Sequence, residues 1–177
     1  MQTTRFTRLP GMTLAVMLML VGAQGLGGGP EAQAGDRGKL EGTWLIETTR
    51  VKCDTREPLS APFPSVHTYL RGGTVLDIGA PPPTELVVTR SDAHGIWKRT
   101  GHQTFRERFH SFSFNAAGVH VLTVEVTFER SLIQGKHAET DEIIGIGTGK
   151  FFTPTGDLVV EGCAEDRGRR FMFEEEE

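Results

Sequence analysis

The sequence feature that most constrains this chain is a pair of long extended segments joined by four residues typical of a turn. Residues 104–114 and 119–130 flank Asn-Ala-Ala-Gly at 115–118, and this pattern predicts one antiparallel hairpin. Apolar and polar residues alternate along the second arm, which gives it one buried face and one wet face. The residues expected to face inward are Leu122, Val124, Val126 and Phe128. A slip of one residue would bury glutamates instead, so the register is strongly specified.

The remaining sequence contains further short extended segments separated by glycine, proline and polar residues. A hairpin with one apolar face needs such strands to cover it. Short connections favour pairing between sequential neighbours, and a sheet of this size removes its edges most simply by closing. We therefore predict an all-β domain over residues 35–173, a single up-and-down antiparallel β-barrel of about eight to ten strands. A β-sandwich is the alternative.

Glycines mark two places in this predicted barrel. Gly145, Gly147 and Gly149 share one face of an extended segment at 140–152, which lets the strand curl or lets another group approach its backbone. Residues 166–168, Asp-Arg-Gly, are interpreted as a turn between a strand ending at Cys163 and a last strand at 169–173.

The two ends of the sequence are interpreted separately from the barrel. Arg5 and Arg8 precede an apolar run at 12–21, and small residues at 32–34 supply a cleavage site, as in a secretory signal peptide over residues 1–34. The apolar run is about half the roughly 20 residues that a spanning helix needs, so no stable membrane insertion of the mature chain is expected. We expect a protein that is periplasmic or secreted after cleavage near Ala34. Residues 174–177 form an acidic tail.

The cysteines and the charge narrow the possible chemistry. In an exported protein Cys53 and Cys163 are expected to pair with each other. The alternative is that a cysteine acts as a nucleophile or a metal ligand, but no histidine motif lies near either cysteine in the sequence. The formal net charge of -4 disfavours nucleic acid as a partner. None of the six histidines has the close spacing of a zinc site, and phosphate-binding or dinucleotide motifs are absent from the sequence. We therefore expect no metal and no cofactor.

The start of the first predicted strand resembles a known family. Gly42-Thr43-Trp44 is similar to the Gly-x-Trp opening of lipocalins and related calycin barrels. The resemblance implies that Trp44 packs across the closed end of a lipocalin-like barrel, with Arg169 or Arg170 over its ring. His94-Gly95-Ile96-Trp97, the strand at 104–114 and Gly162-Cys163 resemble a group of uncharacterised exported bacterial proteins described as lipocalin-like. That likeness implies a fold and a compartment, and no activity.

Aromatic and charged residues around the central hairpin are the candidate site. A barrel of this size is either filled by its own side chains or holds one small ligand. Residues 104–114 have phenylalanines on both faces, and a bulge near His110 would bring them all inward. Arg106, Glu107 and Arg108 either bind a ligand carboxylate or form an exposed ladder of ion pairs. The candidate ligand-binding residues are Trp97, Phe105, Arg106, Glu107, Phe109, His110, Leu122, Val124, Val126 and Phe128.

Three functional hypotheses follow from this pattern. The first is a binding barrel for a small, mostly apolar molecule. The second is a barrel enzyme of isomerase or cyclase type, with His94, Arg106, Glu107 and His110 as its polar groups. The third is an envelope protein that contacts other proteins through its outer surface and has no pocket. The sequence assigns no catalytic residue and leaves the oligomeric state open.

Overall fold

In the part of the chain that the structure describes, eight antiparallel strands, each paired with its neighbours in the barrel, close on themselves, and a ninth short strand extends one of them. The computed structural model describes residues 39–81 and 87–173. The strands are β1 (Gly42–Val51), β2 (Phe63–Leu70), β3 (Thr74–Gly79), β4 (Thr89–Arg90), β5 (Ala93–Arg99), β6 (Thr104–Phe114), β7 (His120–Ile133), β8 (Glu142–Phe152) and β9 (Leu158–Arg170). The order around the barrel is β1-β2-β3-β5-β6-β7-β8-β9, and β9 pairs again with β1. The predicted up-and-down barrel is confirmed.

The central hairpin has the predicted register. In the pairing of β6 with β7, Phe109 lies opposite Val126 and Glu107 lies opposite Phe128. The β2–β3 turn uses Gly72 and Gly73, whose φ angles of 94° and 92° suit glycine. A single 3₁₀ turn, Ala138–Thr140, precedes β8 within the described residues. No helix in the described residues has the length and apolar character needed to cross a bilayer.

The predicted turn at 166–168 is wrong, because β9 continues through it without a break. Asp166 faces inward and its carboxylate binds a buried arginine. Gly168 also faces inward, where an added Cβ would lie 2.8 Å from Ile46 Cγ1. Aspartate and glycine are common in turns, but here the first is a buried ion-pair partner and the second makes room for a core side chain.

One end of the barrel, the closed end, is filled by packed side chains. Trp44 is fully buried and donates from Nε1 to the Leu40 carbonyl at 2.9 Å, and the Arg170 guanidinium lies 4.3 Å above its ring. Arg170 also donates to the carbonyls of Lys39 and Glu41 at 2.9 and 2.8 Å. The implied burial of Trp44 under an arginine is therefore confirmed. The surrounding core consists of Ile46, Tyr69, Val75, Phe105, Leu132 and Ile143.

The other end, the mouth, is held by the disulfide. Cys53 and Cys163 are bonded, with Cα atoms 5.1 Å apart and a sequence separation of 110, so the predicted pairing is confirmed. The bond ties the chain just after β1 to β9. In the chain-entropy model a loop of this length contributes about 5 kcal/mol. The proposed signal peptide, residues 1–34, and the acidic tail, residues 174–177, lie outside the described residues.

The row of glycines on β8 allows close approach from β7, as the sequence pattern indicated. An added Cβ at Gly145 would lie 2.3 Å from Asp166 Oδ1 and 2.9 Å from Arg130 Nη1. At Gly147 it would lie 2.6 Å from Phe128 Cδ1 and 2.7 Å from the Thr127 carbonyl oxygen. These distances are too short for real atoms, so both positions require glycine.

We expect Gly147→Ala to destabilise the barrel by about 1–3 kcal/mol, because the new methyl group overlaps a ring and a strand backbone. Gly149→Ala is the matched control: the nearest atom to its added Cβ is 3.5 Å away, on Phe151. Its effect should stay within about 0.5 kcal/mol. Urea unfolding followed by tryptophan fluorescence measures both. Equal losses in the two variants would contradict this account of the glycine row.

Candidate functional site

A buried arginine occupies the middle of the barrel, between the closed end and the mouth. The side chain of Arg130, on β7, has no exposed area. Its Nη2 donates to Glu107 Oε1 at 2.6 Å and its Nη1 donates to Asp166 Oδ1 at 2.7 Å. The guanidinium carbon also lies 4.7 Å from the centre of the Phe128 ring. Two carboxylates from opposite sides of β7 therefore compensate the buried charge.

Further polar contacts extend this arrangement across the barrel. The Tyr69 hydroxyl donates to Glu107 Oε2 at 2.5 Å. Arg130 Nη2 lies 3.3 Å from His67 Nδ1. Because arginine only donates, Nδ1 must accept, and the proton of a neutral His67 is on Nε2. We call these five residues, Arg130, Glu107, Asp166, Tyr69 and His67, the arginine layer.

The arginine layer connects to a second ion pair nearer the mouth. His67 Nε2 lies 3.3 Å from Asp77 Oδ1, an electrostatic contact rather than a well-aligned hydrogen bond. Arg90 Nη2, on β4, donates to Asp77 Oδ2 at 2.6 Å and to the Asp77 carbonyl at 3.3 Å. Asp77 is buried and the Arg90 side chain is only 13% exposed. The short strand β4 therefore positions the cation that neutralises Asp77.

The surroundings shift the pKa values of this network in opposite directions. Burial raises the pKa of the Tyr69 hydroxyl well above its ordinary value, so Tyr69 stays a neutral donor. Burial also raises the pKa of Asp166, and outweighs the opposing effect of Arg130. Burial also acts to raise the pKa of Asp77, but the effects of His67 and Arg90 outweigh it, so the pKa of Asp77 is lowered.

The same network has one more carboxylate than it has arginines. Glu107, Asp77 and Asp166 bring three negative charges when ionised, against the two positive charges of Arg130 and Arg90, and His67 adds a third positive charge when it is protonated. Asp166 Oδ2 is buried and has no hydrogen-bond partner among the described residues. Together with its raised pKa, this makes Asp166 easier to protonate than an ordinary aspartate as the pH falls.

A cavity of about 350 Å³ lies between the arginine layer and the mouth. Its size is at the lower end of the range for small-molecule pockets. The disulfide and Leu59 border it at the mouth, and His67 and Asp77 border it at the floor. One wall is apolar and consists of Phe109, Val124, Val126, Phe128 and Phe151. The other is polar and includes Ser65, Asp77, Arg90, Ser111 and Ser113. Further polar or charged residues that line the cavity are Thr48, Arg50, Lys52, Thr148 and Glu161.

The structure brings four of the sequence-predicted site residues together on the cavity wall: Phe109, Val124, Val126 and Phe128. Glu107 is also interior, but it lies beneath the cavity in the arginine layer. The remaining interior candidates lie elsewhere. Phe105 and Trp97 pack in the closed end, with ring centres 5.9 Å apart. Leu122 is partly buried and is not among the cavity-lining residues.

Arg106 and His110 lie on the outer face, so their expected place in an interior site is corrected. Side chains alternate strictly along β6, and its register shift falls between Ser113 and Phe114 rather than near His110. Arg106 pairs with Glu129 on the surface. The next outward residue, Arg108, pairs likewise with Glu125 at 2.6 Å. The exposed ladder of ion pairs, the alternative interpretation, is therefore the correct one for these arginines.

Sequence reasoning missed most of the polar site. Arg130 follows Phe128 on the inward parity of β7, and extending the alternation by one step would have identified it. Asp166 was assigned to a turn, so it was not recognised as an inward-facing residue of a strand. Four other polar residues come from short strands whose mixed composition does not mark the inward face. These residues are Ser65, His67, Asp77 and Arg90. Ser111 and Ser113 follow Phe109 on the inward parity of β6, but the expected bulge near His110 placed them on the outer face.

Comparison with known proteins finds no matching family model, no matching curated protein and no matching solved structure. The closed antiparallel barrel is consistent with a lipocalin-like fold. Within residues 39–81 and 87–173, no group of three or more His, Cys, Asp or Glu side chains is placed to hold a metal ion. The interpretation of the site therefore depends on its geometry.

We expect Asp77→Asn and Asp166→Asn to change the pH dependence of stability in opposite directions. The pKa of Asp77 is lower in the folded state, so the unfolded state binds more protons and stability rises with pH through this titration. The pKa of Asp166 is higher in the folded state, so stability falls as pH rises through that titration.

The free energy of unfolding measured between about pH 3 and 7 tests this pair. The advantage of the wild-type protein over Asp77→Asn should grow as the pH rises. Its advantage over Asp166→Asn should shrink over the range above the ordinary carboxyl pKa. Parallel changes in the two comparisons would contradict the assigned electrostatics.

Proposed function

We propose that this protein is an exported binding barrel that holds a small, mostly apolar molecule in the cavity above the arginine layer. The observation that carries the proposal is the space between that layer and the mouth, which has one wall of phenylalanine and valine side chains. Barrels of eight strands either fill this volume with their own side chains or hold one small ligand. Pockets that bind small molecules typically have mostly apolar walls with a few polar groups.

The distribution of side-chain size along the barrel supports a pocket. Inward positions at the closed end carry large side chains, such as Trp44, Tyr69 and Phe105. At the level of the cavity several strands place small residues inward instead. These are Ser65, Ser111, Ser113, Gly149, Gly162 and Ala164. This change in size leaves room for a ligand without any change in the strands themselves.

The disulfide supports both the compartment and the pocket. A bond between Cys53 and Cys163 is typical of an oxidising compartment, in agreement with the signal-peptide pattern in the sequence. Both cysteines border the cavity. The covalent link therefore holds the mouth in one shape before a ligand arrives, which reduces the entropy cost of binding.

The expected affinity follows from the apolar wall. An aromatic body the size of a tryptophan ring buries roughly 200 Å² of surface. At about 25 cal/mol per Å², this contributes on the order of 5 kcal/mol. The lost translational and rotational freedom of the ligand offsets part of this gain, so a purely apolar ligand of this size should bind weakly, and polar contacts should strengthen that binding.

Binding is favoured over catalysis because the polar groups named for an enzyme do not converge. His94 and His110 are exposed neighbours on the outer faces of β5 and β6. Arg106 is in the surface ladder. Glu107 is buried and is held by Tyr69 and Arg130. None of these four side chains lines the cavity.

We expect Val124→Trp to abolish binding of the uncharged fluorescent probe N-phenyl-1-naphthylamine, because the larger side chain would fill the cavity. Val124 is buried on the cavity wall, whereas its neighbour Thr123 faces outward on the same strand. Thr123→Trp is therefore the matched control and should bind like the wild-type protein. Fluorescence titration measures binding, and circular dichroism with thermal unfolding checks the fold.

A wild-type protein that gives no fluorescence enhancement would refute the proposed function. So would a folded Val124→Trp variant that binds the probe as well as the control does.

A further inference from the structure

The cavity wall near the mouth carries an arginine whose charge the fold does not neutralise. Arg50 lies near the end of β1, continues the inward parity of Ile46 and Thr48, and lines the cavity. Its side chain has no hydrogen bond and no ion pair with any other described residue. Arg50 is also partly shielded from water. An ion pair with such a cation is stronger than one on the open surface, so an anion that reaches Arg50 is favoured.

The other lysine and arginine on the cavity wall already have partners. Lys52 Nζ lies 2.5 Å from Glu57 Oε2. Arg90 Nη2 lies 2.6 Å from Asp77 Oδ2. Within the described ranges, Arg50 is therefore the cation of the cavity wall that is available to a ligand.

The neighbouring strand brings no carboxylate to Arg50. In the pairing of β1 with β9, Arg50 lies opposite Ala164, which carries no charge. Glu161 also borders the cavity, but it has the outward parity of β9. It contacts Lys150, its partner on β8, at 3.7 Å. The space beside Arg50 is therefore open to an anionic group from outside the protein.

From this unpaired cation beside an apolar wall we infer that the ligand is an amphipathic carboxylate, whose acid group binds Arg50 and whose apolar body lies against Phe109, Val126 and Phe128. The inference deepens the proposed function and rests on it. A guanidinium offers a planar pair of donors that matches the two oxygens of a carboxylate. Its single positive charge balances one carboxylate, whereas a phosphate monoester carries roughly two negative charges at neutral pH.

The two ends of the cavity determine how such a ligand is oriented. Arg50 lies two residues nearer the mouth than Thr48, which pairs with Asp166 of the arginine layer. Two residues of a strand span about 7 Å, so Arg50 is well above that layer. Asp77 lies at the floor and would repel a carboxylate that entered first. The acid group therefore stays at the mouth, and the apolar body enters the barrel.

Four probes that share a naphthalene body test this inference: 2-naphthoate, 2-naphthamide, 2-naphthyl phosphate and 2-naphthylmethylammonium. The amide has nearly the shape of 2-naphthoate without its charge. Affinities at neutral pH are measured by displacement of N-phenyl-1-naphthylamine and by calorimetry. 2-Naphthoate should bind about tenfold more tightly than 2-naphthamide, the effect of one hydrogen-bonded contact between charged groups, and more tightly than the other two probes.

Arg50→Gln should lower the affinity for 2-naphthoate to that for 2-naphthamide and leave 2-naphthamide binding unchanged. Arg169→Gln is the matched control: it removes the same charge from an exposed position with the outward parity of β9, so it should change neither affinity. Binding of uncharged N-phenyl-1-naphthylamine shows whether the cavity of each variant is intact. The comparison of the four probes on the wild-type protein stands even if the Arg50 variant does not fold.

The outcomes separate this inference from the proposed function. If 2-naphthamide binds as tightly as 2-naphthoate, or if the phosphate or the ammonium probe binds most tightly, the inferred ligand class is overturned while the binding function stands. If Arg50→Gln keeps the full preference for 2-naphthoate, or if Arg169→Gln loses it equally, the role of Arg50 is overturned. If none of the four probes and no N-phenyl-1-naphthylamine binds, the proposed function itself fails.

Discussion

The burial of one arginine in the middle of the barrel is the constraint on which the rest of the structure depends. Removing a guanidinium from water is costly, and Arg130 stays buried because Glu107 and Asp166 approach it within 2.7 Å. That geometry requires β9 to run straight past Asp166. It also requires glycine at 145, because any side chain there would overlap the ion pair. The register of three neighbouring strands is therefore tied to this single charge.

The arginine layer also divides the barrel interior into two parts with different roles. Below it, large side chains around Trp44 fill the closed end and supply apolar burial that stabilises the fold. Above it, small inward residues leave the cavity open. The hydrogen bonds of Tyr69 and His67 hold the layer in place, so the cavity has a rigid floor. A site supported in this way is preorganised for its ligand.

The hairpin, the barrel, the disulfide and the burial of Trp44 were predictable because each leaves a local pattern: alternation, short turns, two cysteines and one tripeptide. The arginine layer was not, because its members are far apart in sequence and acquire a partner only when the barrel closes. Arg106 and Arg130 illustrate the difficulty. Both lie beside glutamates near the hairpin, and only the parity of each strand decides that one is exposed and the other buried.

A crystal structure determined under xenon pressure tests most directly the claim that the barrel is hollow above the arginine layer. Xenon enters dry, apolar cavities and does not bind in a core that side chains already fill. It is expected between Phe109, Val126 and Phe128, on the side of the cavity away from the serines. A barrel without xenon at this place, in which the same three side chains fill the space, would contradict the account.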